Sequence, residues 1–293
     1  MNKVSIIIPA KNEAQSIGAL SQKLEDLYPN AEVLVINDGS TDNTAGEAKK
    51  NGARVISHPY SKGNGAAIKT GARNAKGDIL VFMDADGQHK PEDVERLLSK
   101  LSEGYDMVVG ARESSSQANR MRGMANRVYN KLASIMTGCQ IDDLTSGFRV
   151  AKAIYFKRFI YLLPNGFSYP TTSTMAFFRS GLSVGYVPIK AEKRQGKSHI
   201  RLLKDGTKFL VIIFKIGALF SPMRFFLPIS AALFSVGLVY YGYTYSVSGR
   251  FTNMSALLFI SSLLTFLIGV LSQQVSALHY KGLERENWQK KGS

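Results

Sequence analysis

Short apolar runs alternate with helical stretches along the first third of the chain: Val4 to Ile8, Ile17 to Leu27, Glu32 to Ile36, Ala45 to Asn51, Arg54 to Ser57, Ala66 to Asn74 and Ile79 to Met83. The runs VSIII, EVLVI and ILVFM are nearly continuous and rich in β-branched residues, as strands covered on both faces are. Strands alternating with helices predict an α/β domain with a mainly parallel sheet. In such sheets ligands bind beyond the carboxyl ends of the strands. The residues that follow three of the runs, PAKNE, NDGSTD and DADGQ, are therefore the first candidates for chemistry.

The last third has a different pattern. Phe225 to Val247 and Met254 to Ala277 carry no charge over 23 and 24 residues. About 20 apolar residues of helix, at 1.5 Å each, cover a hydrocarbon core of about 30 Å. Two transmembrane helices are expected (about 225–247 and 254–277) in preference to a buried helical hairpin, with Tyr240, Tyr241, Tyr243 and Tyr245 as an interfacial belt. The chain then reads as an α/β domain over 1–200, a juxtamembrane amphipathic segment over 201–224, the two spans within 225–278 and a tail over 279–293. Lys204, Lys208, Lys215 and Arg224 precede the first span and Lys281, Arg285, Lys290 and Lys291 follow the second, while the turn between them holds only Arg250. By the positive-inside rule both termini and the front domain face the cytoplasm of a cell membrane crossed twice. The start, MNKVSIIIPAKNE, has too short an apolar run for a signal peptide and is read as a first strand.

The formal charge of +15 suits nucleic acid, an anionic membrane or an anionic substrate. No nucleic-acid motif accompanies it, and several basic residues lie just before the spans, where an anionic leaflet attracts them. The one cysteine, Cys139, excludes an internal disulfide. It has no histidine pattern beside it to make it a nucleophile.

After ILVFM come Asp84, Ala85, Asp86, Gly87 and Gln88, two carboxylates two residues apart at a strand end with an amide behind. Oxygen donors of this kind suit Mg²⁺ or Mn²⁺ whose shell substrate phosphates complete, although a lone pair of acids in a turn can also be mere solvated surface. The four histidines show no zinc-ligand spacing, with His89 near enough to stand behind the acids. After VLVI, Asp38 is placed to accept hydrogen bonds from a base or ribose, while Ser40 or Thr41 is expected to cap the next helix. The run Ser61 to Gly65 is neither GxGxxG nor GxxxxGK[ST], which argues against a dinucleotide fingerprint and a P-loop. Its glycines and Lys62 can still bring backbone amides to an anion.

Taken in order, PAKNE, NDGSTDNT, SKGNGAAIKTG and FMDADGQH resemble the start of a family 2 glycosyltransferase. VVGAR (Val108 to Arg112), LTSGFRV (Leu144 to Val150) and the VPI to RQGKS segment (Val187 to Ser198) resemble its polyprenyl-phosphate branch, which includes dolichol-phosphate mannose synthase. The resemblance covers about residues 3 to 200. It implies a GT-A fold and a nucleotide-sugar held by Pro9, Ala10, Asn12, Glu13, Asp38, Lys62, Asp84 and Ala85. It also implies a divalent cation, Mg²⁺ or Mn²⁺, on Asp84, Asp86 and Gln88, with an acceptor phosphate on Arg112, Ser146, Arg149, Arg194, Lys197 and Ser198. Asp84, Asp86, Arg149 and Arg194 would carry catalysis. Tyr186 departs from the pattern, since relatives often have an acid before VPI. Relatives also suggest UDP- or GDP-linked donors and homo-oligomers.

A polyprenyl phosphate is largely dianionic at neutral pH, given a second pKa near 6 by analogy with phosphoserine, and needs no general base. A hydroxyl acceptor would need one, with Asp142 or Asp143 as candidates. A processive polysaccharide synthase would require a QxxRW motif, and the one tryptophan, Trp288, lies beyond the last span without it. A non-catalytic nucleotide-sugar-binding membrane protein is the remaining alternative, and both metal carboxylates speak against it.

Overall fold

The computed structural model describes residues 3–112, 120–166, 168–190 and 220–291. They fall into two compact units, one within residues 1–134 and 139–200, the other within residues 135–138 and 201–293. Arg194, Lys197, Ser198 and most of the expected amphipathic segment lie outside the described residues.

The first unit is built on a seven-stranded sheet of order β3-β2-β1-β4-β6-β5-β7. The strands are β1 (Val4–Ala10), β2 (Glu32–Asn37), β3 (Arg54–Ser57), β4 (Ile79–Phe82), β5 (Met107–Arg112), β6 (Arg149–Lys152) and β7 (Val184–Ile189). Helices α1 (Ala14–Leu27), α2 (Thr44–Lys50), α3 (Asn64–Asn74), α4 (Asp93–Ser102), α6 (Ala153–Phe156) and α7 (Tyr169–Arg179) belong to it. Helix α5 (Arg120–Thr137) runs from this unit into the second.

The apolar runs bury both faces of the sheet. Ile6, Ile8, Val33, Val35 and Val81 share one core with Ile17, Leu20 and Leu24 of α1 and Val94, Leu97 and Leu101 of α4. Fully burying one such side chain contributes about 1.5–3 kcal/mol. On β1, Ile7 faces α3, where a Cβ on Gly71 would come within 2.3 Å of the Ile7 Cγ2. Glycine there lets the helix sit on the strand.

All pairings are parallel except those of β6, which runs antiparallel to both β4 and β5. Phe82 at the end of β4 faces Arg149 at the start of β6. The turn before β6 therefore reaches the same sheet edge as the carboxyl ends of β1, β2, β4, β5 and β7. The expected cap of α2 is corrected here. That helix starts at Thr44, and Ser40 and Thr41 bond Asn12 instead, through Asn12 N–H to Ser40 Oγ at 3.0 Å and Thr41 N–H to Asn12 Oδ1 at 2.8 Å. Asp42 takes up the role near the helix start, accepting from the Thr44 N–H at 3.1 Å.

The second unit is a hairpin of α8 (Pro222–Ser248) and α9 (Asn253–Lys291). Pro222–Ser248 and Asn253–Leu278 are long and apolar enough to cross a membrane. Val239 and Leu271 are 74% and 66% exposed, as side chains that face lipid would be. Between the helices, the Ser230 hydroxyl donates to Ser262 O and the Ser262 hydroxyl to Ser230 O, both at 2.9 Å. The last turn of α5 belongs to this unit, where Ser221 Oγ (2.7 Å) and Arg224 Nη1 (3.1 Å) donate to its Met136 carbonyl.

Candidate active site

Strand order reverses at β1, with β2 and β3 on one side and β4 onward on the other, which is where open α/β sheets bind ligands. A cavity of about 510 Å³ opens there. Pro9, Ala10 and Glu13 line it from the end of β1, Asp38 from β2, Ser61, Gly63 and Asn64 from the loop before α3, and Asp84, Ala85 and Asp86 from beyond β4.

Gly87, at φ 73°, turns the chain sharply after the two acids, and the Gln88 N–H donates to Asp86 Oδ1 at 3.2 Å. The Asp84 N–H lies 3.4 Å from Nδ1 of His89, whose ring is buried and stacked on Phe148 at 4.9 Å. Burial pushes the His89 pKa down, against the upward pull of Asp84 and Asp86. A neutral ring there can accept the Asp84 amide proton. On its other side the Asp84 carboxylate meets the backbone of Gly147, where a Cβ would lie 2.7 Å from Oδ2.

Among the described residues no three His, Cys, Asp or Glu side chains converge to hold a metal unaided. Two carboxylates on a cavity wall fit a hard cation whose shell is completed by substrate phosphates. Gln88 is half-buried beside them.

Asp38 lines this cavity and is also engaged within the protein. Its Oδ1 lies 2.7 Å from His58 Nδ1 and accepts the Lys62 N–H at 2.8 Å; its Oδ2 accepts the Ser61 hydroxyl at 2.8 Å and the Gly63 N–H at 2.9 Å. Burial alone would raise its pKa, but these donors, His58 first, outweigh it and bring it down to about 2. Four internal donors make Asp38 the fastener of the 60–63 loop and leave little of it for a base or ribose. Asn12, at φ 57°, is likewise engaged with the 40–41 turn. Lys62 contributes its amide to Asp38 and its ammonium lies 5.6 Å over the Tyr60 ring.

A second cavity, of about 550 Å³, is lined by Arg112 at the end of β5, Arg127 and Lys131 of α5, and Tyr186 and Pro188 of β7. Arg112 grips the buried Asp143 in a fork, Nε to Oδ2 at 2.8 Å and Nη2 to Oδ1 at 3.0 Å. Asp143 also accepts the Thr145 and Ser146 amides at 3.0 and 3.1 Å. Burial would raise the Asp143 pKa, and Arg112 foremost holds it below the usual carboxylate range instead. A carboxylate so occupied is a poor general base.

Arg149 and Ser146, expected at an acceptor phosphate, line neither cavity. Arg149 is fully buried. Its Nη1 donates to Pro170 O at 2.8 Å and to Ser173 Oγ at 2.7 Å, and its Nη2 to Ser146 O. It joins the turn before β6 to the start of α7. Ser146 is 1% exposed, and its hydroxyl points at no partner among the described residues.

The model of Glycosyl transferase family 2 matches residues 5–160, just over half of the 293 residues. The chain is a family 2 glycosyltransferase. This glycosyltransferase also matches the GtrB C-terminal hairpin over residues 221–278. It is 28% identical over 298 residues to glycosyltransferase AglJ of Haloferax volcanii, across 96% of each chain. To the undecaprenyl-phosphate 4-deoxy-4-formamido-L-arabinose transferase of Edwardsiella ictaluri it is 29% identical over 212 residues, 69% of this chain and 64% of that one. Among solved structures, glucosyl-3-phosphoglycerate synthase of Mycobacterium tuberculosis with Mn²⁺, UDP-glucose and phosphoglyceric acid superposes with a TM-score of 0.61 at 23% identity, over 73% of this chain and 79% of that one. That likeness shows the GT-A fold.

Of the residues expected in the glycosyltransferase's site, the fold brings Pro9, Ala10, Glu13, Asp38, Asp84, Ala85 and Asp86 round one cavity, with Arg112 at the other. Sequence reading took Ser61 and Asn64 only as members of the Ser61 to Gly65 run, and passed over Ser16 of α1, whose hydroxyl donates to Ala85 O at 2.8 Å and steadies the acidic turn. It also passed over Arg127 and Lys131. Their spacing of four on one helix face was the available signal.

Proposed function

We infer that the enzyme transfers a sugar from a nucleotide-sugar, UDP- or GDP-linked, to a polyprenyl phosphate. The observation that carries this reading is the pairing, in one chain, of the Asp84 and Asp86 cavity at the strand-order reversal with a GtrB-type hairpin at residues 221–278. A relative that names undecaprenyl phosphate as acceptor supports the lipid side.

In this reading the donor lies in the cavity between Pro9, Asp38 and Asp84, against the loop that Asp38 fastens. Mg²⁺ or Mn²⁺ on Asp84 and Asp86, with Gln88 beside them, would neutralise charge on the diphosphate. An oxygen of the acceptor phosphate attacks the anomeric carbon as the bond to the diphosphate breaks, so the sugar inverts and the nucleoside diphosphate leaves. The phosphate is already anionic, so no side chain need take a proton, in keeping with an Asp143 held by Arg112. Arg112, Arg127 and Lys131 supply positive charge at the second cavity, and Arg194, Lys197 and Ser198 belong to the same acceptor set. The enzyme's work is mostly positioning. In the same reading the hairpin spans the cell membrane with the catalytic unit and both termini cytoplasmic, which the flanking lysines and arginines support.

Purified full-length protein incubated with labelled nucleotide-sugars, Mn²⁺ and undecaprenyl phosphate should place label in the organic extract for one donor. Label appearing only on water-soluble acceptors would refute the lipid reading.

A further inference from the structure

His58 follows β3 and lines neither cavity, yet both of its ring nitrogens are committed. With 6% of its side chain exposed, it sets Nδ1 2.7 Å from Asp38 Oδ1 and Nε2 2.9 Å from Thr70 Oγ1 on α3. An ionised carboxylate only accepts hydrogen bonds, so Nδ1 carries the proton that faces Asp38. The backbone N–H of His58 is fixed as well, on Asn37 O at 2.9 Å. The ring thus links three pieces of structure: the end of β2, the end of β3 and the middle of α3.

What depends on this link is the 60–63 loop. Asp38 holds it by the Ser61 hydroxyl and the amides of Lys62 and Gly63. From beneath, the loop presses on Gly39, where a Cβ would lie 2.5 Å from Ser61 N. Ser61 and Gly63 then form part of the cavity wall. Three loop donors share one carboxylate, so a rotation of Asp38 would loosen all three together. The groups that fix that rotation are the loop itself and His58, and His58 alone is anchored outside the loop.

We propose that His58 is a positioning residue for donor recognition: tied to α3 through Thr70, it holds the Asp38 carboxylate at the angle that fastens the 60–63 loop along the nucleotide cavity. This rests on the reading of that cavity as the donor site. Changes at His58 act on nucleotide affinity and leave turnover of bound donor nearly unchanged, because His58 lines neither cavity.

The test is calorimetric titration of the full-length protein with UDP and GDP, together with donor KM and kcat. His58→Asn keeps an N–H where Nδ1 stands, His58→Gln sets its amide near the place of Nε2, and His58→Ala keeps neither. Loss of a hydrogen bond to a charged group predicts that Ala and Gln raise the nucleotide Kd and the donor KM about tenfold or more, with Asn staying within about threefold of wild type and kcat of each variant within about threefold. A purely structural histidine would lower the melting temperature without separating Asn from Gln in affinity. A folded Ala variant binding as wild type does, or equal losses in Asn and Gln, overturns the proposal. Should Ala fail to fold, the comparison of Asn with Gln decides. Wild-type protein that binds neither nucleotide would instead sink the donor reading itself.

Discussion

The Asp84 carboxylate fills the space that a side chain at position 147 would need, and Gly147→Ala tests it with one carbon. The added Cβ would lie 2.7 Å from Asp84 Oδ2 and 3.3 Å from Cγ, where ordinary contact begins at 3.4 Å. The oxygen must therefore retreat by about 3.4 − 2.7, or 0.7 Å. Gly147 is not among the positive-φ residues, so alanine brings no backbone strain there. The clash falls on the far end of a side chain that is about a third exposed, which makes the stability cost small. Activity is another matter, since a displacement near 1 Å at a catalytic group costs on the order of a hundredfold, about 2.7 kcal/mol of barrier. We expect transfer of label to lipid to fall about 10- to 100-fold, with circular dichroism unchanged and nucleotide binding without metal retained. Wild-type turnover in folded Gly147→Ala would show that the position of Asp84 is not critical and would remove it from the reacting centre.

Asp84→Asn or Asp86→Asn should lower transfer at least about a hundredfold, the scale of losing several kcal/mol of charge stabilisation, and excess chelator should abolish it; full activity in chelator would contradict both. Arg149→Lys should cost on the order of 3 kcal/mol of stability in denaturant titration, because a buried fork loses its fixed acceptors, while acceptor KM moves little. Normal stability with a raised acceptor KM would return Arg149 to the phosphate. Asp38 has its pKa lowered from 3.8 to about 2, so its contribution, about 2 kcal/mol, is complete above pH 3.8 and is lost as pH falls towards 2. The stability gap between wild type and Asp38→Asn should narrow across that window, and a gap independent of pH would refute the assignment.

Much of the fold was legible because its strands are buried on both faces. Ile6 to Ile8, Val33 to Ile36 and Leu80 to Met83 are apolar without interruption, and the helices between them follow the 3.6-residue repeat. The reversal of β6 was not legible, since RVAK (Arg149–Lys152) is four residues long and nothing in its pattern records direction. That hidden reversal is why Gly147 and Asp84, distant in sequence, touch. For the site, residue type showed which carboxylates stand at strand ends but not who their partners are. Asp38 and Asp84 look alike in sequence and line the same cavity, yet Asp38 is filled by four internal donors. Arg149 reads as a phosphate-binding cation in sequence, and only the structure shows its acceptors on α7.

The two serines that exchange hydroxyl bonds across the hairpin, Ser230 and Ser262, act as a register lock. Sliding one helix by a single turn, about 5.4 Å, would break both bonds at once, and in hydrocarbon neither hydroxyl would find water as a substitute. Small steps are resisted in the same way, because the bonds run in opposite directions and a shift lengthens the pair together. The hairpin is therefore pinned in one register at the level of Ser230 and Ser262.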